Sequence, residues 1–167
     1  MFSALQKANF FLKHFGFTKV PLIWLCRPKI LTLNAKTVEI RIPLRRRTKN
    51  HLNSMYFGAL AIGADLAGGF MAMHKADQRG GAVSLAFKGM NAEFLKRPEA
   101  DVVFVCDDGD VIDTMLNETF STGERVNKTV RINATCPTLH GSEPIAVFDL
   151  VLSLKAVGVT PEQRKAA

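Results

Sequence analysis

Side chains that stack on nucleic-acid bases are scarce in this 167-residue chain. It has one Trp and one Tyr beside twelve Phe, and its basic residues do not alternate with aromatics. That removes the stacking platform of a single-strand binder, and no nucleic-acid motif is present. The net charge of +7 is compatible with an anionic partner, such as an acidic membrane surface or a phosphorylated small molecule, but a merely basic surface is the commonest meaning of such a charge. Cysteine is equally sparse. Cys26, Cys106 and Cys136 are odd in number and widely spaced, which gives no metal-ligand pattern and points to a reducing, cytoplasmic compartment. Lys7 and Lys13 interrupt any N-terminal apolar stretch, so no secretory signal is read there. Charge is missing from one long segment. Between Lys49 and Lys75 the sole formal charge is Asp65, set among small and apolar residues.

That segment is the most informative part of the chain. A helix apolar on all sides is normally buried. A carboxylate inside one must find a partner, face a cavity or shift its pKa. Met55 to Met73 is long enough to raise a transmembrane reading. Four Gly, the central Asp and the lack of a second span oppose it, because an ionisable side chain at mid-bilayer costs at least ~2.5 kcal/mol.

The remaining pattern gives an α+β chain of one domain over residues 1–167, with a core from about 30 to 157. Residues 2–15 form an amphipathic helix, with Ala4, Leu5, Ala8, Phe11, Leu12 and Phe15 on one stripe and Gly16 as its stop. Pro21 to Pro28 is an apolar connector. Val38, Ile40, Ile42 and Leu44 alternate with polar residues, as in a half-buried strand. A basic loop, Arg45-Arg46-Arg47-Thr48-Lys49, precedes the apolar helix, expected from Ser54, its N-cap, to His74. Strands follow over 82–95, 101–106, 126–136 and 145–155. A short helix over 111–120 carries Asp110 and Asp113 as N-cap and first turn. Ala146, Phe148, Leu150, Leu152 and Leu154 share one face of the last strand, whose other face is also apolar, so it belongs inside the sheet. Cys136 to His140 reads as a turn, and the tail after Gly158 as frayed. Asp107-Asp108-Gly109 lacks the ligand spacing of a calcium loop. The layout is a curved antiparallel sheet wrapped around a long central helix, whose small residues allow close approach.

Two stretches carry a resemblance. Asn50-His-Leu-Asn-Ser-Met-Tyr56-Phe57-Gly58, followed by Asp65, is similar to a pattern of Asn, five residues, His-Gly-Gly, and an acid seven residues beyond the second Gly. Asn91-Ala-Glu-Phe-Leu-Lys96-Arg97-Pro98-Glu-Ala-Asp101 is similar to Asn-Phe-Leu-Arg-Pro-Ala-x-Gly-Asp. In both the chain resembles the hotdog-fold thioesterase superfamily, in particular its phenylacetyl-CoA thioesterase-like branch. The resemblance implies a hotdog fold with an extra N-terminal helix, acyl-CoA thioester hydrolysis with no cofactor beyond the CoA of the substrate, and a homodimer or dimer of dimers with sites between subunits. It implies Asp65 as base or nucleophile, Gly58 as the backbone oxyanion donor and Asn50 as a positioning group. Tyr56 replaces the motif's His and Phe57 its first Gly, so Tyr56 becomes a candidate donor and Phe57 a channel wall. Ser54 and Asn53 are further substrate candidates, and Arg46, Arg47, Lys96 and Arg97 are candidate clamps for CoA phosphates. The chemistry agrees, since thioester hydrolysis needs an oxyanion donor and a base for water.

Two other readings fit parts of this pattern. The Tyr56-Phe57 departure suits a non-hydrolytic acyl-CoA or lipid-binding module. His51, fourteen residues before Asp65, suits a hotdog dehydratase, although the Gly58-to-Asp65 spacing fits the thioesterase pattern better.

Overall fold

The computed structural model describes residues 3–158; residue 2 of the expected first helix and the tail after Gly158 lie outside them. Helix α1 (Ala4–Thr18) is started by Ser3, whose hydroxyl accepts from the Gln6 N–H while the Gln6 side chain accepts from the Ser3 N–H, a reciprocal cap. Gly16 does not stop it. A Cβ at Gly16 would lie 3.1 Å from the Trp24 backbone nitrogen, so this glycine is where the next element crosses α1. That element corrects the expected connector: Pro21–Cys26 is a short helix, α2, with Pro at its start and Arg27 in the left-handed region (φ 50°) at its end. A strand not expected from the sequence follows, β1 (Lys29–Leu33).

The alternating segment forms β2 (Val38–Ile42). It stops at Pro43, which cannot donate to a ladder. The apolar helix, α3, runs Phe57–Gln78, starting later than expected because Asn50 takes Ser54 for its own loop. The Asn50 carboxamide oxygen accepts from the Leu52 and Ser54 N–H groups, and its nitrogen donates to the Ser54 hydroxyl at 3.0 Å. The cap position falls instead to Tyr56, extended and without a side-chain cap. The remaining elements are β3 (Ala82–Phe94), β4 (Val102–Cys106), α4 (Gly109–Thr122), β5 (Val126–Thr135), a four-residue helix α5 (Pro137–His140) in place of the expected turn, and β6 (Pro144–Val157).

The six strands make one antiparallel sheet in the order β1-β2-β4-β5-β6-β3. β6 is interior, as its two apolar faces require. α3 lies across the sheet, and Gly63 sets the closeness: a Cβ there would fall 2.2 Å from the buried Phe104 ring. The buried faces of β2, β4, β5 and β6 close over α3 in one core. Asp113 is not a capping group. It accepts from Lys75 at 2.7 Å and Arg79 at 2.6 Å, tying α4 to the end of α3. Burial alone would raise its carboxyl, but these two cations hold it below the usual range.

The two sheet edges differ. At β1 the Asn9 side chain of α1 bonds both backbone groups of Ile30, accepting from its N–H at 2.9 Å and donating to its carbonyl at 3.0 Å. The other edge, β3, is thirteen residues long and, among the described residues, pairs with β6 alone. A bulge between Phe87 and Gly89 shifts its alternation by one. Leu85 and Phe87 before it, and Met90, Ala92 and Phe94 after it, therefore stand opposite the inward-facing Leu154, Leu152, Leu150, Phe148 and Ala146.

Candidate active site

The start of α3 is held from both sides. The Tyr56 N–H donates to the Thr48 carbonyl and the Met55 N–H to the Pro98 carbonyl, both at 2.8 Å. The Tyr56 carbonyl accepts from Ala59 and Leu60. That leaves the N–H groups of Phe57 and Gly58 without a hydrogen-bond partner among the described residues. Unpaired N–H groups at a helix start, with the positive end of the helix dipole behind them, are a site for developing negative charge. The Tyr56 ring folds over Gly58, so that a Cβ there would sit 2.5 Å from its edge, and meets the Phe57 ring at a 57° tilt, 4.8 Å between centres. Glycine at 58 is what lets the ring lie there. Both aromatic side chains are exposed.

Asp65 lies seven residues beyond Gly58, two turns along the same face. It is half-buried on a stripe with Gly58, Ala61 and Ile62, the part of α3 that the sheet does not cover. Among the described residues its carboxylate has no ion pair and no hydrogen bond. Burial pushes its pKa up. Further along, Gly69 faces Leu85 and Phe87 of β3, which a Cβ there would meet at 3.7 Å. Met90 and Phe94 of β3 stand opposite the inward-facing Leu150 and Ala146, yet are 47% and 53% exposed in the single chain.

Comparison with known proteins follows this geometry. A family model described as a domain of unknown function, DUF4442, matches residues 8–145. The chain belongs to the DUF4442 family. Among solved structures, this DUF4442 chain is similar to a protein of unknown function, a probable thioesterase, from Pseudomonas aeruginosa (21% identity, TM-score 0.72, covering 89% of this chain and 96% of that one). It is also similar to a protein of unknown function from Chlorobaculum tepidum (14%, TM-score 0.78, 90% and 96%). A third likeness is to zebrafish thioesterase superfamily member 2 (12%, TM-score 0.64, 94% and 100%). These likenesses show the fold: the chain is a hotdog protein, with a six-stranded antiparallel sheet around its long helix and an added N-terminal helix. No curated protein matches the chain.

The remaining expected site residues of this DUF4442 chain fall into separate places. Asn50 and Ser54 bond each other, and exposed Asn53 occupies the left-handed region (φ 61°) in the same loop. Exposed Arg97 and half-buried Lys96 sit on the turn that Pro98 ties to Met55, and Lys96 pairs with Glu143. His51 is exposed. Arg46 and Arg47 turn elsewhere. With Arg27, Arg45 and the Leu25-Cys26 end of α2 they line a cavity of about 200 Å³, and the Arg47 guanidinium lies over the Trp24 ring, 5.9 Å from its centre. Reading 21–28 as a connector hid Arg27 and Trp24. The signal available was a lone Trp between two prolines, with Arg27 three residues after it. The acidic residues near α4 are otherwise engaged: Asp107 accepts from Thr37, Asp108 from the Arg131 N–H, and Asp110 pairs with Lys36.

Proposed function

We propose that this chain hydrolyses a thioester of the acyl-CoA class at a site shared by two copies. The observation that carries this is the pairing, on one helix, of unsatisfied N–H groups at Phe57 and Gly58 with an unpartnered carboxylate, Asp65. The N–H groups bind the thioester oxygen as it becomes an oxyanion. Asp65 takes the proton of an attacking water, or attacks the carbonyl itself; its raised pKa suits the first role. The thiolate of CoA leaves. Along one helix the two groups stand about 10 Å apart, too far to flank a single carbonyl carbon, since each must lie within about 3 Å of the atoms it serves. Gly58 of one copy therefore works with Asp65 of the partner subunit, and the exposed inward face of β3 around Met90 and Phe94 is the surface that a second copy closes. The order of the two motifs, similar to that of the phenylacetyl-CoA thioesterase-like branch apart from Tyr56 and Phe57, supports this reading. Lys96 and Arg97, on the turn tied to Met55, are the cations proposed for the CoA phosphates, and Asn50 serves by holding the loop. The reducing cytoplasm is the proposed compartment, in keeping with three free buried cysteines.

Release of free thiol from a panel of acyl-CoA thioesters tests this. Wild-type protein is expected to turn over at least one member, and Asp65→Asn to lose about 10²–10⁴-fold in rate while remaining folded. Normal hydrolysis by Asp65→Asn would make Asp65 structural. The Tyr56 ring over Gly58 favours one second reading, a binding module that kept the fold without turnover. CoA binding with no thiol release by wild type, and activity gained in Phe57→Gly, is its signature.

A further inference from the structure

We propose that the outward face of α1 and α2, with the arginine cavity beside it, docks on an anionic phospholipid bilayer. This goes beyond the thioesterase reading and does not depend on it. The side of α1 opposite its buried Ala8 and Leu12 ought to be polar. It carries instead Phe10 and Phe17, seven residues and so two turns apart, 74% and 65% exposed, with Lys13 and His14 between them. Phe17 meets Trp24 edge-on at 5.7 Å, which extends the apolar surface onto α2, where Leu22 is 62% exposed. Trp24 in turn lies under Arg47, at the rim of the cavity lined by Arg27, Arg45 and Arg46. One continuous strip thus runs from exposed Phe through Trp to a cluster of guanidinium groups.

Charge complementarity identifies the occupant. Residues 1–38 contain Lys7, Lys13, Lys19, Arg27, Lys29 and Lys36 and no Asp or Glu; the first acid is Glu39, and Arg45 to Arg47 and Lys49 follow. Lys36 pairs with Asp110 near α4, but Lys7, Lys13 and Lys19 lie on or next to α1, and Arg27 and Arg45 to Arg47 gather beside Trp24, so the segment that carries Phe10, Phe17 and Trp24 is basic throughout. A protein partner would have to cover large apolar side chains and supply a field of acids together. A bilayer with acidic headgroups offers both at its surface: acyl chains for Phe10, Phe17 and Leu22, an interface that suits Trp24, and phosphates that fit arginine forks. A helix pair lying in the interface plane needs no spanning segment, and α3 stays in the core.

Trp24, the single tryptophan, reports docking directly. The full-length protein is titrated with phosphatidylcholine vesicles and with vesicles that also contain phosphatidylglycerol, following Trp24 emission and co-sedimentation. The expected result is a blue shift and sedimentation with the anionic vesicles alone, weakening with added salt. Phe10→Ser with Phe17→Ser should abolish both while the circular dichroism melt stays unchanged, and each of Arg46→Ala and Arg47→Ala should weaken partitioning about fivefold. Absence of sedimentation with anionic vesicles, or equal binding to both compositions, overturns the proposal. So does dissociation of an oligomer by the Phe10 and Phe17 changes, which would make this face a contact between copies. The same Trp24 shift with CoA or inorganic phosphate alone would make the cavity a soluble-anion site and overturn it too.

Discussion

Asp65 carries a cost that its neighbours do not offset. The unfolded chain ionises this carboxyl at a lower pH than the folded chain, because burial raises the folded value. Between those two values the native state holds the extra proton, so stability falls as pH rises through that window and the penalty persists above it. Asp65→Asn should therefore melt higher than wild type at neutral pH, and the difference should shrink as the buffer is acidified below the unfolded carboxylate range. Thermal melts of both proteins across acidic to neutral pH check this; a variant that melts lower at neutral pH would mean Asp65 has a stabilising partner. Tyr56 poses a different question at the same scale. Its hydroxyl has no hydrogen bond among the described residues, and its ring covers Gly58. If the hydroxyl donates to the thioester, Tyr56→Phe should cut turnover by about 10²-fold with KM little changed. If the ring is a cover only, Tyr56→Phe keeps its rate and Tyr56→Ala widens the accepted acyl range. Asp65 was legible as a lone charge in an apolar run. The engagement of Asn50 with Ser54 was not, because a loop's internal hydrogen bonds leave no period to read.

Elements with a strong period were legible, and those without one were not. β2, β5 and β6 announce themselves by alternation, and α3 by its length and lack of charge. α2 is six residues of unbroken apolar sequence, too short for a helical period to emerge. β1 is five residues whose edge is completed by a side chain, Asn9, from twenty-one positions earlier. The glycines of α3 were legible as small but not as different from one another. At Gly63 an added Cβ meets the Phe104 ring at 2.2 Å, and Phe104 is fully buried and cannot swing away. At Gly69 the nearest atoms, on Leu85 and Phe87, are 3.7 Å off, ordinary contact. Gly→Ala in a helix gains about 1 kcal/mol from propensity alone, while overpacking a closed core costs about 1–3 kcal/mol. Gly69→Ala should thus stabilise by roughly 0.5–1 kcal/mol, and Gly63→Ala should destabilise despite its better propensity. Urea melts of the two variants at one protein concentration decide it, and like signs would mean that Phe104 does not set the distance between helix and sheet.

At the scale of the whole molecule, the asymmetry of the two sheet edges predicts assembly. A long exposed edge strand invites pairing with another chain, and this protein blunts one edge and not the other. β1 is short, and Asn9 bonds both backbone groups of Ile30, whereas β3 offers thirteen residues whose outer side has no strand partner among the described residues. The inward-facing Met90 and Phe94 are exposed on that strand. Pairing β3 with β3 of a second copy about a two-fold axis would extend the sheet, cover those side chains and bring a second α3 alongside the first. The 10 Å between Gly58 and Asp65 on one helix then ceases to matter, because each site draws one group from each copy. Light scattering should find a dimer or a dimer of dimers at micromolar concentration. Met90 lies near the middle of β3, so a two-fold axis there brings its two copies close together. Met90→Lys places like charges together in that contact, which opposes pairing. It should yield a folded monomer that loses thiol release in step with the dimer. A wild-type monomer would remove both the interface and the shared site, and a Met90→Lys monomer with full activity would show that one chain suffices for the chemistry.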